Sequence, residues 1–187
     1  MSPTPARTSR DRIVGEGLAL LESGGLDAVT MAAIADRVGV KPASLYKHVR
    51  DRPALVGELV EATALALGRD LAAGDDPAAA PRTRLTTLGR GYRAFATAHP
   101  RATALLFADL GAGVSLGAHA SRTAAAPVLG VAAALAGPDR ALEVARVLTA
   151  FVHGFTSMEA AGAFRLGGDL DAAFETGLAI LADGLAA

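Results

Sequence analysis

The strongest constraint in the sequence is a pair of short helical patterns on either side of Gly39. Thr30 is a good N-cap residue, because its hydroxyl can accept a hydrogen bond from a free amide of the first turn. Apolar residues then follow at helical spacing, at Met31, Ile34, Ala35 and Val38. Glycine commonly ends a helix in this way, and the next helix begins at Pro42, whose fixed φ suits the first helical position. The pattern predicts two short helices joined by a tight turn.

The second helix of the pair is predicted to have one buried and one exposed face. Leu45 and Val49 are apolar at i, i+4 and face inward. The outward positions are small, polar or basic, at Ala43, Ser44, Tyr46, Lys47 and His48. A helix with a slim N-terminus and such side chains can enter the major groove of DNA. Residues 30–49 are therefore predicted to form a DNA-binding helix-turn-helix. The pattern alone leaves open an ordinary helical hairpin with a solvated polar face.

Helical patterns cover the rest of the chain, and no segment shows a strand pattern. A first helix is predicted from about Ser9 to the residue before Gly24, and Asp51 is predicted to cap a fourth helix that ends near Leu71. Later helices are predicted over 82–98, a short segment to 110, 120–136 with a kink or break at Pro127, 139–166 and 170–185. Loops are predicted over 72–81 and 111–117. The chain is therefore expected to be all-α.

Composition limits the classes of function. The net charge is −1, which argues against a protein that coats polyanions unselectively. A local basic patch is present, however, with Lys41, Lys47, Arg50 and Arg52 inside twelve residues. No stretch is long and apolar enough to span a bilayer, and Met1–Arg12 lacks the apolar core of a secretory signal. We expect a cytoplasmic protein with no membrane partner.

The residue patterns that enzymes use are missing from the sequence. The chain has no cysteine, and its four histidines lie far apart without the spacing of a helical zinc site. The glycines of 111–117 have the wrong spacing for a dinucleotide-binding loop. We therefore expect no enzymatic activity, no metal and no cofactor.

The segment from Thr30 to Leu55 resembles the N-terminal domain of the tetracycline-repressor (TetR) family. The family pattern has a capping Thr, Ile-Ala, Gly-Val and then Leu-Tyr-x-His-Phe, followed by a Lys and a Leu. Here these positions are Thr30, Ile34, Ala35, Gly39, Val40, Leu45, Tyr46, His48, Val49, Arg52 and Leu55. Val49 replaces Phe but stays apolar, and Arg52 replaces Lys but stays cationic.

The resemblance implies a domain order and a set of DNA contacts. Residues 1–52 would form the three-helix helix-turn-helix domain, 53–73 a connecting helix, and 74–187 a helical effector-binding and dimerisation domain. The implied contacts to double-stranded operator DNA are Thr30, Lys41, Ala43, Ser44, Tyr46, Lys47, His48 and Arg52. Tyr46 and Arg52 would bind phosphates, and Ala43, Ser44 and Lys47 would contact base edges.

Two apolar stripes in the last helices have the spacing of a packing seam. The stripe residues assigned to a dimer interface are Val144, Leu148, Phe174, Leu178, Leu181 and Leu185. Spacing alone also allows these stripes to face the core of their own domain. The resemblance favours a homodimer, because this family usually dimerises through its last two helices.

An effector pocket is also implied by the resemblance. Its predicted lining is Phe95, Phe107, Leu110, Phe151, Phe155 and Met158, although an apolar lining and an apolar core look alike in a sequence. No cluster of Arg or Lys is expected to face this region, which favours a small neutral or apolar effector. The predicted function is a homodimeric repressor that such an effector releases from a palindromic operator. Alternatives are a regulator of the same fold without a ligand, an activator, or a helical interaction module that binds no DNA.

Overall fold

The computed structural model describes residues 9–111, 114 and 116–185, and these form two compact units. The first unit comprises Met1–Thr63 and Arg101–Gly117, and the second comprises Ala64–Pro100 and Ala118–Ala187. The described residues contain helices and no strand, so the all-α prediction is confirmed. None of their helices combines the length and apolar character that crossing a membrane requires. Residues 112, 113 and 115 of the predicted loop lie outside the described residues.

The helices follow the predicted order. Their bounds are α1 Arg10–Gly24, α2 Met31–Val38, α3 Pro42–Leu45, α4 Arg52–Gly74, α5 Pro81–Ala98, α6 Pro100–Leu105, α7 Ala118–Ala136, α8 Ala141–Ala160 and α9 Leu170–Leu185. Single turns of 3₁₀ helix lie at Leu26–Ala28 and Pro138–Arg140. Helix α7 continues through Pro127, which is buried, so the predicted break there is wrong.

The N-caps predicted at Thr30 and Asp51 are confirmed by their hydrogen bonds, and Ser9 caps α1 in the same way. The side chains of Ser9, Thr30 and Asp51 each accept from the backbone amide three residues later, at 3.2, 3.1 and 2.8 Å. These residue types favour such positions because a short side chain reaches an amide that has no partner within the helix. The starts of α1, α2 and α4 are thus set by local chemistry.

Helix α8 is shorter than the predicted 139–166. It begins at Ala141, after the 3₁₀ turn that Pro138 opens, and it ends at Ala160. Gly162 has a φ of +62°, in the left-handed region that glycine enters without steric cost. Its amide donates to the carbonyl of Glu159 at 3.0 Å, and this turn ends the helix.

The core of the first unit joins α1, α2, α3 and the beginning of α4. Its fully buried side chains include Ile13, Leu21, Ile34, Leu45, Leu55 and Leu59. Gly17 permits the close approach of α1 and α4, because a Cβ added there would lie 2.8 Å from a methyl carbon of Leu59.

Helix α6 is fastened to the end of α1 by a reciprocal pair of caps. The Glu22 carboxylate accepts from the backbone amides of Arg101 and Ala102, at 3.2 and 2.8 Å. In return, the Arg101 guanidinium donates to the carbonyl of Glu22 at 3.0 Å. Each helix terminus therefore receives the hydrogen bonds that it lacks internally.

The second unit is a helical bundle in which α5, α7, α8 and α9 pack together. Its fully buried side chains include Leu85, Val131, Leu148, Phe174 and Leu178. An ion pair holds the loop before α5, because the Arg84 guanidinium donates two hydrogen bonds of 2.8 and 2.7 Å to Asp75. This pairing holds the pKa of Asp75 below its usual value.

Candidate nucleic-acid interface and effector region

The geometry of the helix-turn-helix depends on Gly39. This glycine has φ 74° and ψ 36°, a left-handed conformation that a side chain would strain. The following amide, that of Val40, donates to the carbonyl of Ala35 at 2.9 Å. The chain thereby turns sharply at the end of α2 and enters α3 after two further residues. The predicted role of Gly39 is confirmed.

Helix α3, the second helix of the helix-turn-helix, is shorter than the sequence predicted. Helix α3 closes at Leu45, and 46–48 continue as a turn in which the amides of His48 and Val49 both donate to the Leu45 carbonyl. Leu45 and Val49 are 0% and 2% exposed, so both face the core as predicted.

The opposite side of this segment is open to solvent. Tyr46 is 54% exposed, Ser44 is half-buried, and the other exposed predicted DNA contacts are Thr30, Lys41, Ala43, Lys47 and His48. We call residues 41–48 the reading segment. Except for Ser44, which is half-buried, its small, basic and hydroxyl-bearing side chains are exposed.

Lysines supply the unpaired positive charge of the reading segment. Within the part of the chain that the structure describes, neither Lys41 nor Lys47 has an ion-pair partner. Arg50, which follows the segment, donates to the Asp51 carboxylate at 2.7 Å. The amide of Ala54, and after it Arg50, hold the pKa of Asp51 below its usual value. Between residues 41 and 52, the two lysines are thus the cations without an internal partner.

Arg52 differs from the other predicted phosphate contacts because its guanidinium already has partners within the protein. Its guanidinium donates to the carbonyls of Val29 and Leu26, both at 2.7 Å. The side chain therefore ties the beginning of α4 to the connection between α1 and α2. Sequence reasoning missed this role, because main-chain carbonyls leave no residue pattern. The phosphate contact of Arg52 remains a prediction.

Four residues of the predicted dimer interface lie inside the protomer. Val144 and Leu148 are 0% exposed and Phe174 and Leu178 are 1% exposed, which leaves no surface for a second chain. Their spacing comes from packing of α8 and α9 against α5 and α7, the alternative that the sequence had left open. The prediction that these four residues contact a second chain directly is therefore wrong. The last two interface residues, Leu181 and Leu185, are half-buried.

Other apolar side chains of α8 and α9 are exposed instead. Leu142, Val147 and Met158 on α8 are 55%, 41% and 48% exposed, and Ile180 on α9 is 65% exposed. Single exposed apolar residues are common, but several on two neighbouring helices are typical of an interaction surface. The sequence pattern missed them because the longer buried stripes have the same helical period.

The predicted pocket residues are divided between the two units. Phe107 and Leu110 belong to the first unit, the former 48% exposed and the latter half-buried. The second unit holds Phe95, which is buried, Phe151 and Phe155, which are half-buried, and Met158.

Two of these residues, Phe151 and Phe155, form an aromatic cluster with Phe164 and Phe174. The ring centroid of Phe174 lies 5.6 Å from that of Phe151 and 5.0 Å from that of Phe155. Phe164 follows the end of α8 in the chain, and its ring centroid lies 4.9 Å from that of Phe155. Only Phe174 is completely buried, so the cluster reaches the surface of the second unit.

Among the described residues, a single cation, the guanidinium of Arg93, faces this cluster. The Arg93 guanidinium carbon lies 5.0 Å from the Phe174 centroid and 5.8 Å from that of Phe155. It also forms ion pairs with Glu159 and Asp171, which neutralise it locally. Arg93 keeps the pKa of Glu159 below its usual value.

A neutral polar pair lies deeper in the second unit. The Tyr92 hydroxyl and His153 Nδ1 are 3.1 Å apart. Burial raises the pKa of Tyr92 and lowers that of His153. Both side chains are therefore held in their uncharged forms near neutral pH.

Two surface depressions lie near the aromatic cluster. One, of about 540 Å³, is lined by Arg90, Arg93, Ala94, Thr97, Ala98 and Phe174. The other, of about 330 Å³, is formed by residues 163–170 with Ala173. Neither is lined by any of the six residues predicted to form the effector pocket.

The two hydrogen bonds of Arg52 predict an effect of this residue on stability. Arg52→Ala should lower the free energy of unfolding by about 1–3 kcal/mol, because two main-chain acceptors lose a charged donor. Arg50→Ala is the matched control, since Arg50 is largely exposed, and it should change stability by less than about 0.5 kcal/mol. Urea titration would measure both. Equal effects would contradict the structural role of Arg52.

Comparisons with known proteins agree with this architecture. Residues 13–59 match the family described as bacterial regulatory proteins, tetR family, and residues 85–181 match the tetracyclin repressor-like C-terminal domain. An uncharacterized HTH-type transcriptional regulator of Mycobacterium tuberculosis is 31% identical over 163 residues, covering 84% of this chain and 73% of that protein.

Solved structures share the complete fold. A Rhodococcus protein of unknown function superposes with a TM-score of 0.81 at 26% identity, over 100% of both chains. A TetR variant from Acinetobacter baumannii, in complex with minocycline, superposes with a TM-score of 0.71 at 23% identity, over 95% of this chain and 96% of that one. Together with the helix-turn-helix geometry, these matches show that the chain belongs to the TetR family of helix-turn-helix transcriptional regulators.

Proposed function

We propose that this regulator is a homodimeric repressor that holds duplex operator DNA through its reading segment and releases it when a small effector binds. The observation that carries the proposal is that residues 41–48 have one buried side and one exposed side. Leu45 and the following Val49 are buried, whereas Lys41, Tyr46 and Lys47 are exposed. A rigidly anchored segment with unpaired cations fits the requirements of major-groove recognition.

The DNA contacts divide into two groups. Lys41, Ala43, Ser44, Lys47 and His48 would face the groove, where base edges and the nearest phosphates lie. Tyr46 would donate its hydroxyl to a phosphate, and the exposed N-terminus of α2 at Thr30 would hold another through its free amides. The Thr30 hydroxyl itself already caps α2. Any phosphate contact of Arg52 would use the part of its guanidinium that the carbonyls of Leu26 and Val29 leave free.

The proposed partner of the exposed face on α8 and α9 is a second copy of this chain. Val147 and Ile180 present apolar area that a symmetric contact would remove from water. Dimerisation is typical of the family, and two-fold symmetry would match a palindromic operator. The interface proposed here uses these exposed residues in place of the buried stripes.

The proposed effector site is the region of the aromatic cluster in the second unit. Phe151, Phe155 and Phe164 are half-buried there, and rings of this kind dominate the lining of small-molecule sites. Because Arg93 is neutralised by Glu159 and Asp171, a neutral or apolar effector remains favoured. The TetR variant of the same fold, which binds minocycline, gives a precedent for a small-molecule site. Helix α4 runs from one unit into the other and would transmit the change.

The two faces of the reading segment should respond differently to truncation. Tyr46→Ala should leave the fold intact, weaken binding to all duplexes and flatten the salt dependence by about one unit, because a phosphate contact is lost. Leu45→Ala should lower the free energy of unfolding by about 2–5 kcal/mol, because it empties a buried site. Fluorescence anisotropy at several salt concentrations and thermal unfolding would measure the effects. The reverse pattern would show that the faces are inverted.

The dimer proposal predicts monomers after charge is placed on the exposed face. Val147→Asp with Ile180→Asp should raise the dimer dissociation constant at least about 30-fold, because carboxylates would be buried without partners. Both positions are exposed in the protomer, so the fold should survive. Light scattering measures the mass, and Ala78→Asp, in an exposed loop, is the control for added charge. A double variant that stays dimeric would refute this interface.

The effector proposal predicts coupled binding. Neutral apolar compounds that raise the melting temperature should also weaken operator affinity by about 5- to 150-fold, the usual range of allosteric coupling. Phe155→Ala should abolish both effects together, whereas Phe107→Ala in the first unit should preserve them. Compounds that stabilise the protein but leave operator affinity unchanged would contradict release by an effector.

A further inference from the structure

The side-chain chemistry of the reading segment limits which bases it can recognise directly, and this inference rests on the proposed function. We propose that the base contacts by which the segment discriminates between sequences are made to guanine and thymine alone. The ammonium groups of Lys41 and Lys47 donate to O6 and N7 of guanine, and the methyl group of Ala43 packs against the methyl group of thymine. Adenine and cytosine are recognised only through their paired bases.

The placement of the lysines supports the guanine contacts. The chain contains 16 arginines and only two lysines, and both lysines lie in the reading segment. Where an internal ion pair is formed, the cation is arginine, as in Arg84 with Asp75 and Arg90 with Glu175. Lys41 and Lys47 are exposed without such partners. An ammonium group is a donor only, and guanine offers two adjacent acceptors in the major groove.

Direct adenine recognition lacks its usual residues. A side chain that reads adenine with two hydrogen bonds must donate to N7 and accept from N6, which asparagine and glutamine do. The full sequence contains neither residue. No side chain of residues 1–187 can therefore make that two-bond contact as asparagine or glutamine does.

Direct cytosine recognition lacks an acceptor as well. The exocyclic amine of cytosine is read by a carboxylate, and residues 37–50 contain no Asp or Glu. The nearest carboxylate after the segment, that of Asp51, caps α4 and binds Arg50. The nearest one before it, that of Asp36, lies on α2 ahead of the Gly39 turn.

The remaining side chains either contact thymine or discriminate weakly. Pro42 and Ala43 are exposed and form the apolar beginning of α3, where a thymine methyl group can pack. The hydroxyls of Ser44 and Tyr46 both donate and accept, so they suit several bases. His48 can offer a base only one nitrogen at a time and has the same ambiguity.

Base analogues test the proposal without altering the protein. Operators would first be selected from random duplexes with the full chain, and each base of a half-site would then be replaced singly. Replacing guanine with 7-deazaguanine should weaken binding at least about fivefold at two positions, because N7 is lost. Replacing thymine with uracil should cost about fourfold at one position, the value of one buried methyl group. Replacing adenine with 7-deazaadenine should change affinity less than about twofold.

Three charge-matched variants provide the second test. Lys47→Gln introduces an amide that can read adenine, so its preferred base should change from guanine to adenine at one position of each half-site. Lys41→Gln should do the same at another position. Arg50→Gln loses the same charge outside the segment, and it should weaken binding while keeping the base preferences.

The outcomes separate this inference from the proposed function. A loss of more than about fivefold with 7-deazaadenine would overturn the inference, since the protein would then read adenine directly. Lysine variants that weaken all duplexes equally would also overturn it, because the ammonium groups would then contact only phosphates. In both cases operator binding itself would stand. Failure to select any duplex would instead overturn the proposed function.

Discussion

The burial of Leu45 and Val49 is the interaction on which the reading segment depends. Helix α3 has only four residues, too few to be stable alone in water. Its position is therefore fixed by two side chains packed into the first unit and by the Gly39 turn that precedes it. The exposed side chains can be small, polar or charged because they contribute little to the fold. This division would let one short segment contact DNA while its buried side chains hold it in place.

Among the described residues, several arginine side chains bind groups within the protein, whereas the two lysine side chains do not. Arginines form the internal connections: Arg52 ties α4 to the preceding connection, Arg101 caps α1, and Arg93 links α5 to Glu159. The bidentate geometry of the guanidinium suits these fixed contacts, whereas an ammonium group is a mobile point charge. Neither lysine has an ion-pair partner among the described residues, so both would be available to DNA. A chain of net charge −1 can in this way present local positive charge to DNA.

The sequence predicted features governed by local chemistry and missed those governed by packing. Thr30, Gly39 and Asp51 were identified correctly because capping and left-handed turns select particular residue types. The core stripes at Leu148 and Phe174 were assigned to a dimer interface because helical spacing does not say which neighbour a helix faces. The sequence could not predict the hydrogen bonds of Arg52, because their acceptors are main-chain carbonyls. The end of α8 was misplaced because an isolated Gly162 only sometimes ends a helix.

The central claim, that the reading segment is the DNA-contacting surface, can be measured directly on the unmodified sequence. Because Lys41 and Lys47 are the only lysines, an acylating reagent followed by mass spectrometry reports their accessibility individually. Saturating operator duplex should slow acylation of both side chains at least about tenfold at constant salt, and unrelated duplex should protect them much less. If both lysines react at the same rate with and without bound operator, the reading segment does not contact DNA.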